Sequence, residues 1–251
     1  MPCLLVDNDR LVKTVKYRKP RYIGDPVNAV RIFNEKEVDE LMLLDITATT
    51  NSRPPNFSLI QSVAEECFMP LTYGGGISTK EIAEKVLRLG VEKMVIGTAA
   101  TENPVLIEEL AATFGSQSVV ASIDVRQNCF GSYTVWSRGG RKRLRLSPVE
   151  CAQRLQARGA GEIVLNSIHR EGTWNGFDIK LLKLITSAVE IPVIASGGAG
   201  SLAHLEDALT SGGASAVAIG SMAVYQSKDT GVLIGFPSPE QIEQSRRGAR
   251  L

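Results

Sequence analysis

The second half of the chain repeats the first. Glu40-Leu-Met-Leu-Leu-Asp-Ile46 lies over Glu162-Ile-Val-Leu-Asn-Ser-Ile168, a shift of 122 residues. The same shift lays Pro70-Leu-Thr-Tyr-Gly-Gly-Gly76 over Pro192-Val-Ile-Ala-Ser-Gly-Gly198, and one residue more lays Ile96-Gly97-Thr98 over Ile219-Gly220-Ser221. A repeat over half a chain requires two similar units that bury a shared core.

The repeated segments are short apolar runs, as strands covered on both faces should be. Eight such runs are strand candidates: 3–6, 41–46, 70–73, 94–97, 119–125, 163–167, 192–196 and 216–220. Helical patterns lie between them, among them 79–89 and 148–158. Ser147, Pro148 and Glu150 make a helix start, and Gly90 and Gly159 make helix ends. Eight βα units predict an α/β fold, a (β/α)8 TIM barrel. The barrel is expected as one domain over 1–251, with half-barrels of approximately 1–118 and 119–251 related by a pseudo-twofold axis. A doubly wound open sheet is the alternative.

Composition narrows the functional classes. The 251 residues are 43% hydrophobic and 22% charged, enough for a large core without staples. A net charge of +1 offers no field for nucleic acid or a membrane surface. The locally basic stretch 138–145 (RGGRKRLR) reads as a solvated hairpin or as a contact for an anionic group. Cys3, Cys67, Cys129 and Cys151 fit no metal spacing, and the only histidines are His169 and His204. Neither a metal nor a cofactor is expected. No apolar run has transmembrane length, and a reducing, cytoplasmic location is expected.

The strand ends carry the chemistry. Gly74-Gly75-Gly76 and Gly197-Gly198 end the third and seventh strands; Gly97-Thr98 and Gly220-Ser221 end the fourth and eighth. Such turns present free backbone N–H groups, and glycine lets a phosphate approach them. Two copies on opposite sides of a barrel mouth suit a ligand with a phosphate at each end. Tight βα turns alone are the other reading. Asp45 ends strand two and Asp124 lies in strand five, where a carboxylate faces the mouth and reads as catalytic or as part of a salt bridge. Leu5 holds the place symmetric to Asp124. Asp7, on the same strand face but nearer the rim, is a candidate partial substitute. The turn after strand six holds Asn166 and His169, either a group titrating near neutral pH or a solvated loop histidine. Gly172 and Thr173 offer a donor pair near the second phosphate site.

These strings together resemble a known family, the cyclase subunit of imidazole glycerol phosphate synthase, from Pro2 to about Tyr225. Besides the segments above, the resemblance rests on Gly24-Asp25-Pro26, Thr98-Ala99-Ala100-x-Glu102-Asn103-Pro104, Ser122-Ile123-Asp124, Ile168-x-Arg170-x-Gly172-Thr173 and Ala195-Ser196-Gly197-Gly198-Ala199-Gly200. It implies a glutaminase partner at the barrel bottom and ammonia passing along the axis to the mouth. There ammonia reacts with a bisphosphorylated ribulosyl-formimino carboxamide nucleotide. The products are imidazole glycerol phosphate and an aminoimidazole carboxamide ribotide.

Two carboxylates serve the family as acid and base; one matches Asp124 and the other matches Leu5. Glu40, Lys93 and Glu162 match three members of the family's charged gate at the barrel bottom, while its arginine ahead of strand one has no match. The family has Thr where Asn166 stands, Asp at His169 and Glu171, and Ser and Asn at Val95 and Gly97. The loop 17–22 is also unlike the family norm. These departures collect at the mouth.

Three functions are compatible with this pattern. One is an ordinary cyclase of histidine biosynthesis. The second, favoured by Leu5, is a divergent paralogue that keeps the glutaminase and passes ammonia to another acceptor, such as a surface-polysaccharide (LPS O-antigen) sugar, through a third, amidotransferase protein. The third is a non-catalytic scaffold that activates the glutaminase.

Overall fold

The computed structural model describes residues 1–228, 230–238, 240 and 241. In chain order its elements are β1 (Cys3–Asp7), β2 (Arg10–Val15), β3 (Arg18–Gly24), α1 (Pro26–Glu35), β4 (Leu41–Asp45), α2 (Phe57–Glu66), β5 (Leu71–Gly74), α3 (Lys80–Arg88), β6 (Lys93–Ile96), α4 (Thr98–Glu102) and α5 (Val105–Phe114). The second half adds β7 (Val119–Gln127), β8 (Tyr133–Ser137), β9 (Lys142–Arg143), α6 (Pro148–Ala157), β10 (Glu162–Ser167), α7 (Ile179–Thr186), β11 (Val193–Ser196), α8 (Leu202–Thr210), β12 (Ala216–Ala218) and α9 (Ser221–Val224).

Eight of these strands pair in parallel in the order β1, β4, β5, β6, β7, β10, β11, β12. The ring closes where Pro2 bridges Ile219 in parallel and the Cys3 amide donates to the Ile219 carbonyl at 2.8 Å. This is the (β/α)8 barrel, and the closing bridge excludes the open sheet. Closure satisfies the edge groups that an open sheet would leave unpaired.

Apolar side chains fill both sides of the strands. Outside the ring, buried Leu41, Leu43, Val119, Ile123, Ile163 and Val193 pack with helix residues such as Phe33, Ile60, Ile107 and Leu110. Burying each side chain of this size stabilises by roughly 1.5–3 kcal/mol. Inside the ring, Cys3, Met42, Val95, Val120, Val164, Ile194 and Ala218 form a second, separate cluster.

The helix starts follow the sequence. Ser147 and Glu150 make a reciprocal capping box on α6, and the Thr79 side chain accepts from the Ile82 amide at the start of α3. Gly90 and Gly159 take φ of 98° and 91°, the left-handed geometry of helix-ending glycines.

Two hairpins leave the ring on its mouth side. The basic stretch forms the β8–β9 hairpin, with Gly139 and Gly140 at positive φ in its turn. Before it, β2 and β3 pair directly after β1, an extension that the periodicity of strand one did not announce.

Candidate functional site

One cavity of about 850 Å³ opens at the C-terminal ends of the ring strands. It brings together Leu5, Asp7, Asp45, Gly75, Gly76, Gly97, Thr98, Asp124, Asn166, Gly172, Gly197, Gly198, Gly220 and Ser221. Thr173 stands outside this lining, and its hydroxyl donates to the Arg170 carbonyl at 2.7 Å.

The two halves present matching backbone. Gly97 (φ −102°, ψ −88°) starts α4 and Gly220 (φ −104°, ψ −78°) starts α9, and neither start has a side-chain cap. The first N–H groups of both helices are therefore left for another partner. At Gly198, with φ of 113°, an added Cβ would stand 2.2 Å from the Gly176 carbonyl oxygen. That glycine is required by backbone packing, whatever the turn binds.

Strand register fixes the central pair. Leu5 pairs with Leu44, and Asp124 pairs with Asn166. Leu44 and Asn166 are 122 residues apart, the shift of the repeat, so Leu5 and Asp124 occupy equivalent places. The Asp124 Oδ1 accepts from the Tyr17 hydroxyl at 2.7 Å and from Asn166 Nδ2 at 3.1 Å. Burial pushes the Asp124 carboxyl above its ordinary value, and the two donors offset part of that rise. Burial, and next the neighbouring carboxylate, push the Tyr17 phenol well above its own value, so it stays a donor.

Tyr17 reaches this position from the β2–β3 turn. Lys16 and Tyr17 hold positive φ of 53° and 61°, a strained state for side chains of this size. Contacts with Glu171, on the loop after β10, oppose that strain. The Tyr17 amide donates to Glu171 Oε2 at 3.1 Å, and the Lys16 amide to the Glu171 carbonyl at 3.0 Å. The buried Lys13 ammonium pairs with Glu171 Oε1, which also accepts from the Thr14 hydroxyl at 3.1 Å. Lys13, Thr14, Tyr17 and Glu171 all line the cavity. Sequence reasoning marked the loop and Glu171 as unusual but did not join them.

The other acids are engaged. Asp45 Oδ1 accepts from the Thr47 and Ala48 amides at 3.0 and 2.9 Å, and its carboxylate pairs with Arg53 at 2.8 Å. Asp45 thus orders the loop after β4 and presents Arg53, a cavity residue the sequence reading passed over. Asp7 accepts from the Thr47 hydroxyl at 2.9 Å, at the rim. His169 turns away from the cavity. Its Nε2 lies 3.0 Å from Asp178 Oδ2, while its Nδ1 accepts from the Gln127 amide at 3.4 Å. Its partners hold it in the turn rather than in solvent, and it stands outside the cavity lining.

At the opposite, N-terminal ends of the strands, Lys93 Nζ lies 2.9 Å from Glu162 Oε1 and 3.3 Å from Glu40 Oε2. Thr72 donates to Glu40 at 2.6 Å. Burial works against the Lys93 charge, but the two carboxylates outweigh it and hold its pKa above the ordinary 10.5. Glu40, Lys93 and Glu162 therefore form one charged cluster beneath the apolar interior of the ring. Among the described residues no group of three or more His, Cys, Asp or Glu is placed to hold a metal, and no helix is long and apolar enough to cross a membrane.

A closed (β/α)8 ring with a cavity at the strand C-termini places the chain among TIM-barrel proteins, whose sites sit at that face. The description "Histidine biosynthesis protein" belongs to a family model that matches residues 1–230, and the chain is a member of that family. It is 53% identical over 243 residues to a Pseudomonas aeruginosa protein named "Putative imidazole glycerol phosphate synthase subunit hisF2", covering 97% of each chain. A Vibrio vulnificus relative with the same name but the suffix hisF3 is 42% identical over 96% of this chain and 93% of its own. The imidazole glycerol phosphate synthase subunit HisF of Streptomyces coelicolor is 44% identical over 84% of each.

Proposed function

We propose that the protein is a cyclase-type subunit of the imidazole glycerol phosphate synthase kind that works with a glutaminase. In this reading it is a divergent copy that passes ammonia to an acceptor other than the histidine precursor. The observation that carries the reading is Leu5. An aliphatic side chain at the place equivalent to Asp124 transfers no proton, and loss of one general acid or base costs roughly 10²–10⁴ in rate. The hisF2 and hisF3 suffixes of similar proteins support a role as an additional copy.

The glutaminase would dock at the barrel bottom. Lys93 would act as the movable centre of a gate between Glu40 and Glu162, and the apolar interior would carry uncharged ammonia but not ammonium. At the mouth, Asp124 would take or return a proton. The turns at Gly75-Gly76, Gly97-Thr98, Gly197-Gly198 and Gly220-Ser221 would hold the phosphate groups of the acceptor. Asp45, Asn166 and Gly172 belong to the same substrate-binding reading, with Asp45 acting through Arg53 and Thr173 acting through the turn that carries Gly172. The acceptor class suggested by resemblance is a surface-polysaccharide sugar, handed over by a third, amidotransferase protein.

The test is cyclisation of the bisphosphorylated nucleotide by the purified protein with saturating ammonium salt. Absent turnover with an intact fold is the expected result. Turnover of an ordinary cyclase would overturn the divergent reading and leave a histidine-biosynthesis enzyme. Glutaminase stimulation that persists in Asp124→Ala with no acceptor turned over would favour the scaffold reading.

A further inference from the structure

We infer that Tyr17 is the positioning residue of the mouth, a hydroxyl that fixes one oxygen of Asp124 and leaves the other for the acceptor. This rests on the reading of Asp124 as the reacting carboxylate.

Both donors to Asp124 act on the same atom. The Tyr17 hydroxyl and Asn166 Nδ2 converge on Oδ1 at 2.7 and 3.1 Å, and no donor among the described residues reaches Oδ2. Two donors on one oxygen lock the carboxylate rotation and favour its charged form. The same arrangement leaves Oδ2 as the oxygen able to meet a reacting proton.

Tyr17 is well held for this work. Its amide is fastened to Glu171, and Glu171 is anchored in turn by the buried Lys13 and by Thr14. The ring lies against the β8–β9 turn, where a Cβ on Gly140 would stand 3.3 Å from the Tyr17 ring carbon Cδ2. Tyr17, carried by the β2–β3 hairpin, is thus held at its backbone by the loop after β10 and at its ring by the β8–β9 hairpin. A residue that merely closed the mouth would need no hydroxyl. Here the hydroxyl reaches the Asp124 carboxylate, in the half of the ring opposite the one where Leu5 holds the equivalent place.

The inference is tested by titrating the Asp124 carboxyl directly, through ¹³C NMR of carboxyl-labelled aspartate assigned with Asp124→Asn. Tyr17→Phe keeps the ring and removes the donor. It should raise the Asp124 pKa by about one unit, a tenfold gain in proton affinity. Tyr22→Phe, an exposed tyrosine of the same hairpin, should leave it unmoved. Superimposable curves for wild type and Tyr17→Phe would overturn the positioning role. Where an acceptor is turned over, the acid limb of the rate profile should move with the titration. A moved titration with an unmoved acid limb would uphold the positioning of Asp124 while overturning its assignment as the reacting group.

Discussion

Leu5 and Asp124 occupy equivalent places in the two halves of the ring, since each pairs with a residue 122 positions from the other's partner. One half therefore offers a carboxylate to the cavity and the other a branched alkyl group. Whatever chemistry the mouth performs, it is asymmetric about the pseudo-twofold axis, and the hydroxyl nearest Asp124 comes from a turn rather than a strand of the ring.

Restoring the symmetric carboxylate tests how much of the family's chemistry is latent. Leu5→Asp should bring ammonium-dependent cyclisation of the bisphosphorylated nucleotide from undetectable to measurable, a gain of at least about 10²-fold over background, within the range of a general acid or base. A rate unchanged by the substitution would mean that other mouth residues, not Leu5, block the reaction.

Asp124 is expected to exchange stability for function. Its pKa is raised by burial, so its contribution to stability is present below the unfolded value of 3.8 and is lost as pH rises through the higher folded value. Asp124→Asn keeps an acceptor oxygen for Tyr17 and Asn166 without the buried charge. It should melt above the wild type at pH 7, and the advantage should vanish below pH 3.8. Thermal melts across pH check this, and a lower melting point at pH 7 would contradict it.

The latch under Tyr17 should be costly to break from one side. Glu171→Gln leaves the buried Lys13 charge without its partner, a loss on the order of 3–5 kcal/mol. Hydrogen exchange at the Lys16 and Tyr17 amides should quicken in that variant. The double variant Lys13→Met, Glu171→Gln should recover much of the stability, because no uncompensated charge remains. Non-recovery would place the effect in the loop after β10 instead.

Lys93 should matter most for transfer between proteins. Lys93→Met removes the cation between Glu40 and Glu162. Under the proposed function, glutamine-dependent turnover should fall several-fold relative to turnover with ammonium salt. Because the folded pKa of Lys93 is raised, its ion pairs stabilise fully below pH 10.5 and weaken as pH rises through the folded value. The alkaline limb of a melting-point profile should therefore shift in Lys93→Met, and an unchanged limb would deny the pair any stabilising role.

The sequence by itself determined the ring. The 122-residue repeat, the eight apolar runs and the helix start at Ser147 are local signals, because strands buried on both faces and helix starts write themselves into neighbouring residues. It also fixed the equivalence of Leu5 with Asp124, since register follows from the repeat. It marked Glu40, Lys93 and Glu162 by family resemblance, and the structure set them within ion-pair distance at one end of the ring.

Only the tertiary structure decided how the mouth is built. Tyr17 and Asp124 are 107 residues apart, and Lys13 and Glu171 158 apart. Neither pair leaves a periodic trace, because each depends on where a hairpin folds across the barrel end. The same holds for the choice at Asp45, which read as a catalytic acid or as part of a salt bridge and which pairs with Arg53 and two amides at the mouth, and for His169, which pairs with Asp178. Spacing along a chain encodes what repeats within an element. Which side chains meet above a cavity is set by the relative placement of loops, and that placement exists only once the ring has closed.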